Sequence, residues 1–172
     1  MKNNTSIVIL SCLLILIFLF VSSCNCRRMN SDEFIQEYDS VDFSLLKGKY
    51  IFLRSGDILS NTAIYFLYEN ALDCGPYAIT FDKTNQNILK IKNDMVLESC
   101  GKDYLDKSQI EKIVKRFVKY KLHSVMVDYN DNVYLEYVKD NSEIHFMRKS
   151  RDYIVLDTIR YKHYKGNWYM LK

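Results

Sequence analysis

Residues 125–171 repeat one pattern, a short run with apolar side chains at every second position, a few polar turn residues, then another run. Val125, Val127 and Tyr129 alternate, and Asn130-Asp131-Asn132 turns the chain. Residues 133–138 return, Asp140-Asn141 turns again, and residues 144–148 make a third run. A fourth spans 153–164 with a break at Asp157, and Lys165-Gly166-Asn167 leads into residues 168–171. Period-two alternation is the mark of a strand with one face buried. Turns this short join antiparallel neighbours, because a parallel pair needs a crossover of a dozen residues or more.

Upstream, the pattern changes. Residues 107–122 carry Ile110, Ile113, Val114, Phe117 and Val118 on one stripe at helical spacing, with Lys112, Lys115, Arg116 and Lys119 opposite. Ser108 and Glu111 have the spacing of a capping box at its start. Residues 62–72, opened by Ser60-Asn61 and apolar on a broad face, are predicted as a second, well-buried helix. A short helix is expected from Ser31 to Tyr38, and short strands at 49–54, 77–81 and 88–92. Helices first and consecutive strands after predict an α+β fold, an antiparallel meander sheet of about five strands packed with two or three helices. With 172 residues, 48% hydrophobic and 26% charged, the chain suits one folded domain and excludes disorder. A net charge of +3 is too balanced for a dedicated nucleic-acid binder.

The N-terminus is of a different kind. Lys2 precedes an almost wholly apolar run over residues 7–21, shorter than the roughly 20 residues that span a bilayer. Val21-Ser22-Ser23-Cys24 follows: an aliphatic residue, two small ones, then Cys. This box resembles the lipobox of bacterial lipoproteins. The resemblance covers the first 24 residues and implies cleavage before Cys24 and acylation of its thiol. Two or three acyl chains would anchor the protein durably. The organisation expected is a signal peptide over 1–23, a lipidated tether over 24–30 and a globular domain over 31–172, leaving 149 residues after cleavage. The competing reading is an uncleaved membrane helix ending at Arg27-Arg28. Asn25, where Asp commonly marks inner-membrane retention, favours the outer membrane facing the periplasm.

An exported compartment permits disulfides. Of the five Cys, Cys12 leaves with the signal and Cys24 takes the lipid, so Cys26, Cys74 and Cys100 remain. Cys74 and Cys100 both sit beside Gly at element ends, where a bridge closing about 25 residues would stabilise by roughly 3 kcal/mol. Two reduced, buried thiols are the other reading. No zinc-type spacing occurs, and no GxSxG or SxxK nucleophile motif. His123, His145 and His163 are all read as lying in predicted strands of the C-terminal sheet, where sheet-surface histidines are common; they would make a metal site only if register brought them to one face. No cofactor or metal is called for by sequence.

The chain has 14 Tyr, many in the predicted sheet. Tyr134, Tyr137, Tyr153 and Tyr161, with Trp168, offer a candidate binding face, because such rings bring large rigid contact area with a polar tip. The plainer reading is that Tyr is a good strand residue. The expected function is a non-enzymatic, lipid-anchored module that recognises a protein partner, in one version an immunity lipoprotein blocking a toxin that reaches the periplasm. Alternatives are an outer-membrane structural or assembly lipoprotein and a small envelope hydrolase.

Overall fold

The structure is a computed structural model and describes residues 30–172 except 57–59, 71, 140–141 and 151–159. Cys24, Cys26 and Tyr153 lie outside the described residues. The chain divides into two compact units, 1–38 and 39–172. Of the first, the described part is one helix, α1 (Ser31–Tyr38). Asn30 Oδ1 accepts from the Glu33 amide (2.8 Å), and Glu33 Oε2 accepts from the Asn30 amide (3.2 Å), a reciprocal box at the helix start. The Phe34 and Tyr38 rings meet one turn apart at 4.6 Å.

The second unit is dominated by one antiparallel sheet of nine strands: β1 (Lys49–Ser55), β2 (Thr62–Glu69), β3 (Tyr77–Asp82), β4 (Asn87–Lys92), β5 (Ser124–Val127), β6 (Val133–Lys139), β7 (Ser142–Arg148), β8 (Tyr161–Lys165) and β9 (Trp168–Leu171). Their order across the sheet is β4-β3-β2-β1-β5-β6-β7-β9-β8. With α2 (Asp94–Cys100) and α3 (Lys107–Tyr120), three α-helices occur among the described residues. This corrects the expectation of an α+β fold built on about five strands. Two causes are visible. β1 pairs with the distant β5 (Ile51 opposite Val125), which fuses the early hairpins and the late meander into one sheet. Residues 62–69, the greater part of the expected 62–72 helix, are the interior strand β2 instead, between β3 and β1.

The error at β2 has a physical origin. Ala63, Tyr65 and Leu67 are buried on one face, while Ile64, Phe66 and Tyr68 are half-buried on the other. A strand apolar on both faces reads as a continuous run and loses its period-two signature. Ser60 does not cap a helix: its hydroxyl accepts from the Thr62 amide and donates to the Thr62 carbonyl, closing a local turn before the strand. Helix α3 stands where expected, but its box is two residues earlier. Asp106 Oδ1 accepts from the Gln109 amide and Gln109 Oε1 from the Asp106 amide, both at 2.8 Å. Lys121, left-handed at φ 55°, ends the helix.

Cross-strand partners share a face, so register sorts the side chains. One face carries Ile51, Leu67, Tyr77, Ile79, Phe81, Val125, Leu135 and Phe146, all buried. The α3 stripe packs here, with Phe117 edge-on to Tyr65 at 5.4 Å. Tyr77 fastens the loop before α3: its hydroxyl accepts from the Tyr104 and Leu105 amides, each at 3.0 Å. At the other end Arg148 donates to the Asp39 and Val41 carbonyls (2.7 and 3.0 Å) and lies over the Phe43 ring at 5.1 Å. A Cys74–Cys100 disulfide, with Cα atoms 5.6 Å apart, ties the end of α2 to the loop between β2 and β3.

Candidate functional site

The opposite face of the same sheet is built differently. Tyr50 and Phe52 on β1 stand two residues apart, and their partners Tyr68 and Phe66 on β2 join them. The rings form a contiguous ladder: Tyr50 to Phe52 at 5.2 Å, Tyr50 to Tyr68 at 6.0 Å, Phe52 to Phe66 at 5.7 Å. All four are half-buried rather than buried. Next along the sheet come Ser124 and Met126 on β5, Tyr134 and Glu136 on β6, and His145 and Met147 on β7.

This face is concave beyond β6. Tyr161 on β8 lies three strands from Tyr134, a distance of about 14 Å in a flat sheet. Yet their ring centroids are 6.2 Å apart, so the sheet curls until the rings meet. The curl shapes an open cavity of about 180 Å³ bounded by Tyr50, Met126, Tyr134, Glu136, His145 and Tyr161, among others. Met147 is fully buried on this side.

The polar groups at the cavity wall converge on Glu136. Ser124 Oγ donates to Glu136 Oε2 at 2.8 Å. His123 Nε2 stands 4.0 Å from Glu136 Oε1, and His145 is Glu136's direct cross-strand partner. Burial holds the Tyr50 phenol above its usual range; the Ser124 hydroxyl pulls against that, and the Glu136 carboxylate and Tyr68 add to it. Tyr50 therefore stays a neutral O–H donor at any physiological pH. The connectivity argues against nucleophilic catalysis by Ser124. An activated serine needs a histidine next to it and a carboxylate behind the histidine. Here the Ser124 hydroxyl donates to the carboxylate itself and the His123 imidazole stands beyond it, the reverse of that order.

Tyr134 and Tyr161 meet across the concave face. Tyr137 has the opposite parity on β6 and lies on the α3 side, half-buried. Trp168 is also on that side, fully buried, its Nε1–H donating to Asp39 Oδ1 at 2.7 Å. Tyr153 is outside the described residues. Cys74 and Cys100 are bonded to each other, and neither lines the cavity. His163 sits on β8 with Nε2 3.0 Å from the Gly166 carbonyl oxygen, and the three histidines do not converge on one point. Sequence reasoning missed Tyr50, Phe52, Phe66, Tyr68, Ser124 and Glu136. The i, i+2 spacing of Tyr50/Phe52 and Phe66/Tyr68 was the available signal, hidden at β2 by the helical reading.

Compared with protein-family models, with curated proteins and with solved structures, the chain matches none.

Proposed function

We propose that this chain is a lipid-anchored protein of the bacterial cell envelope, held by acylated Cys24 at the outer membrane facing the periplasm, and that it acts as a non-enzymatic binding module for a protein partner. The observation that carries the reading is the concave aromatic face: Tyr50, Phe52, Phe66 and Tyr68 form a half-buried ladder that continues into the Tyr134–Tyr161 contact. A dry sheet face covers such rings with a second layer; rings left half in water keep contact area for a partner. Rigid aromatic side chains, tyrosine above all, are enriched in protein-binding hot spots. The Ser124–Glu136–His123 connectivity supports binding over hydrolysis.

The test uses full-length protein, wild type and a Phe52→Glu/Tyr134→Glu variant, cross-linked in intact cells. The wild type and a Lys112→Glu control on the outer face of α3 are expected to capture the same partner, and the face variant to lose it while keeping its disulfide and a cooperative thermal transition, lowered by no more than a few degrees. Equal capture by all three contradicts the reading. In the immunity version the captured partner is a toxin, and cells carrying the face variant become sensitive to it. The anchor has its own test. Cys24→Ser is expected to abolish acyl labelling and release the protein from membranes, and unchanged labelling contradicts the assignment.

A further inference from the structure

We propose that Glu136, Glu143 and His145 form a binding site for a divalent transition-metal ion of the zinc class. The inference goes beyond partner binding and does not rest on it, since it needs only these three side chains. Glu143 and His145 are two residues apart on β7 and so share a face. Glu136 is His145's direct partner on β6, on the same face. One donor atom from each lies within 4.8 Å of the other two, and His145 Nε2 is 3.7 Å from Glu143 Oε2. A tetrahedral zinc with bonds of about 2.0–2.1 Å holds its ligands roughly 3.4 Å apart. At its widest the set is open by about 1.4 Å relative to that geometry, which small side-chain rotations close. The Glu143 and His145 side chains keep enough exposure to make that adjustment (64% and 35%).

Charge and orientation point the same way. Two carboxylates converge here, and among the described residues neither forms an ion pair with a Lys or Arg; their charged-group contacts are the imidazoles of His123 and His145. A cation between them removes the repulsion. Glu136 is held in place by the Ser124 hydroxyl, as ligating carboxylates generally are by an outer hydrogen bond. The imidazole sets the metal class. Calcium and magnesium take oxygen donors and keep several waters, whereas a histidine with two carboxylates suits zinc and its neighbours. Three protein ligands leave a fourth position open, and two of the three, Glu136 and His145, also line the cavity.

The experiment titrates Zn²⁺, Co²⁺ and Mg²⁺ separately into tag-free full-length protein in detergent. Zn²⁺ is expected to bind one-to-one by calorimetry, with Co²⁺ showing visible ligand-field bands from the same site and Mg²⁺ not competing. His145→Ala and Glu143→Gln are each expected to weaken Zn²⁺ on the order of tenfold or more and to erase the Co²⁺ bands. His163→Ala is expected to change neither. Glu143 is exposed, so its variant keeps the fold and keeps the proposal testable if His145→Ala misfolds. Absence of saturable one-to-one binding, or Zn²⁺ binding unchanged in Glu143→Gln, overturns the proposal.

Discussion

Along β6, neighbours in sequence do opposite work. Val133 and Leu135 are buried to 2% exposure each on the face that α3 covers, while Tyr134 and Glu136 between them are half-buried on the concave face. The same division runs across the sheet: Ile51 against Tyr50 and Phe52 on β1, and Leu67 against Phe66 and Tyr68 on β2. One face is filled by apolar side chains that the α3 stripe closes over, which is where burial stabilises the fold. The other keeps rings, a carboxylate and a histidine in reach of water. The difference teaches that aromatic content alone does not locate a binding surface. Trp168 is the largest side chain of the chain and belongs to the covered face; Tyr134, one of 14 tyrosines, belongs to the open one.

The comparison can be broken in several ways. The broadest perturbation is alkaline pH. Burial pushes the phenols of Tyr65, Tyr77, Tyr104 and Tyr120 above the ordinary tyrosine value of 10.0. A raised folded value means that their contribution is complete below pH 10 and is lost as pH climbs through the folded values. Tyrosinate absorbance and loss of fold should rise together, well above pH 10; phenols that titrate near their ordinary value in an intact fold contradict the packing of the covered face. Phe117→Ala, on the same face, should cost about 3–5 kcal/mol in urea unfolding. Phe52→Ala on the concave face should cost about 1 kcal/mol, because that ring is only half-buried. Equal costs would erase the distinction between the faces.

Substitutions away from the two faces' central rings sharpen it. Replacing Cys74 and Cys100 together by Ser should destabilise by roughly 3 kcal/mol, measured by the urea midpoint under oxidising conditions. Under reducing conditions wild type and variant should converge. Trp168→Phe removes the Nε1–H bond to Asp39 and should cost on the order of 1–2 kcal/mol while leaving partner capture untouched. A loss of capture without a loss of stability would move the binding surface to the covered face. Lys112→Glu, on the solvated side of α3, should stay within about 0.5 kcal/mol of wild type.

Much of this arrangement was legible in the residues, and the rest failed for identifiable reasons. The α3 stripe and the meander runs at 125–129, 133–138, 144–148 and 168–171 carry their periods in the sequence, and each lies where its pattern placed it, within a residue or two at the ends; of the run expected over 153–164, the described part forms a strand only from Tyr161. β2 was misread because both its faces are apolar. Helix α2 gave no signal: within Asp94–Cys100 only Val96 is buried, with Met95 and Leu97 exposed, so no stripe forms. The β1–β5 pairing that makes a single sheet joins residues more than 70 positions apart, and no local pattern encodes it. The candidate face depended on the same information. The alternation in β6 separates Tyr134 from Tyr137, but only register shows that Tyr134 shares a face with Tyr50, His145 and Tyr161. Glu136 became visible as a site residue only when β5 and β7 brought Ser124 and His145 beside it.

The most direct test is an alanine scan along β6, residues 133–138, in the full-length protein, reading urea midpoint and partner capture on every variant. The account predicts two alternations out of phase: stability falls most at Val133 and Leu135, and capture falls at Tyr134 and Glu136 with a much smaller change in midpoint. Capture that falls in step with stability, or only at the odd positions, would contradict the assignment of binding to the concave face.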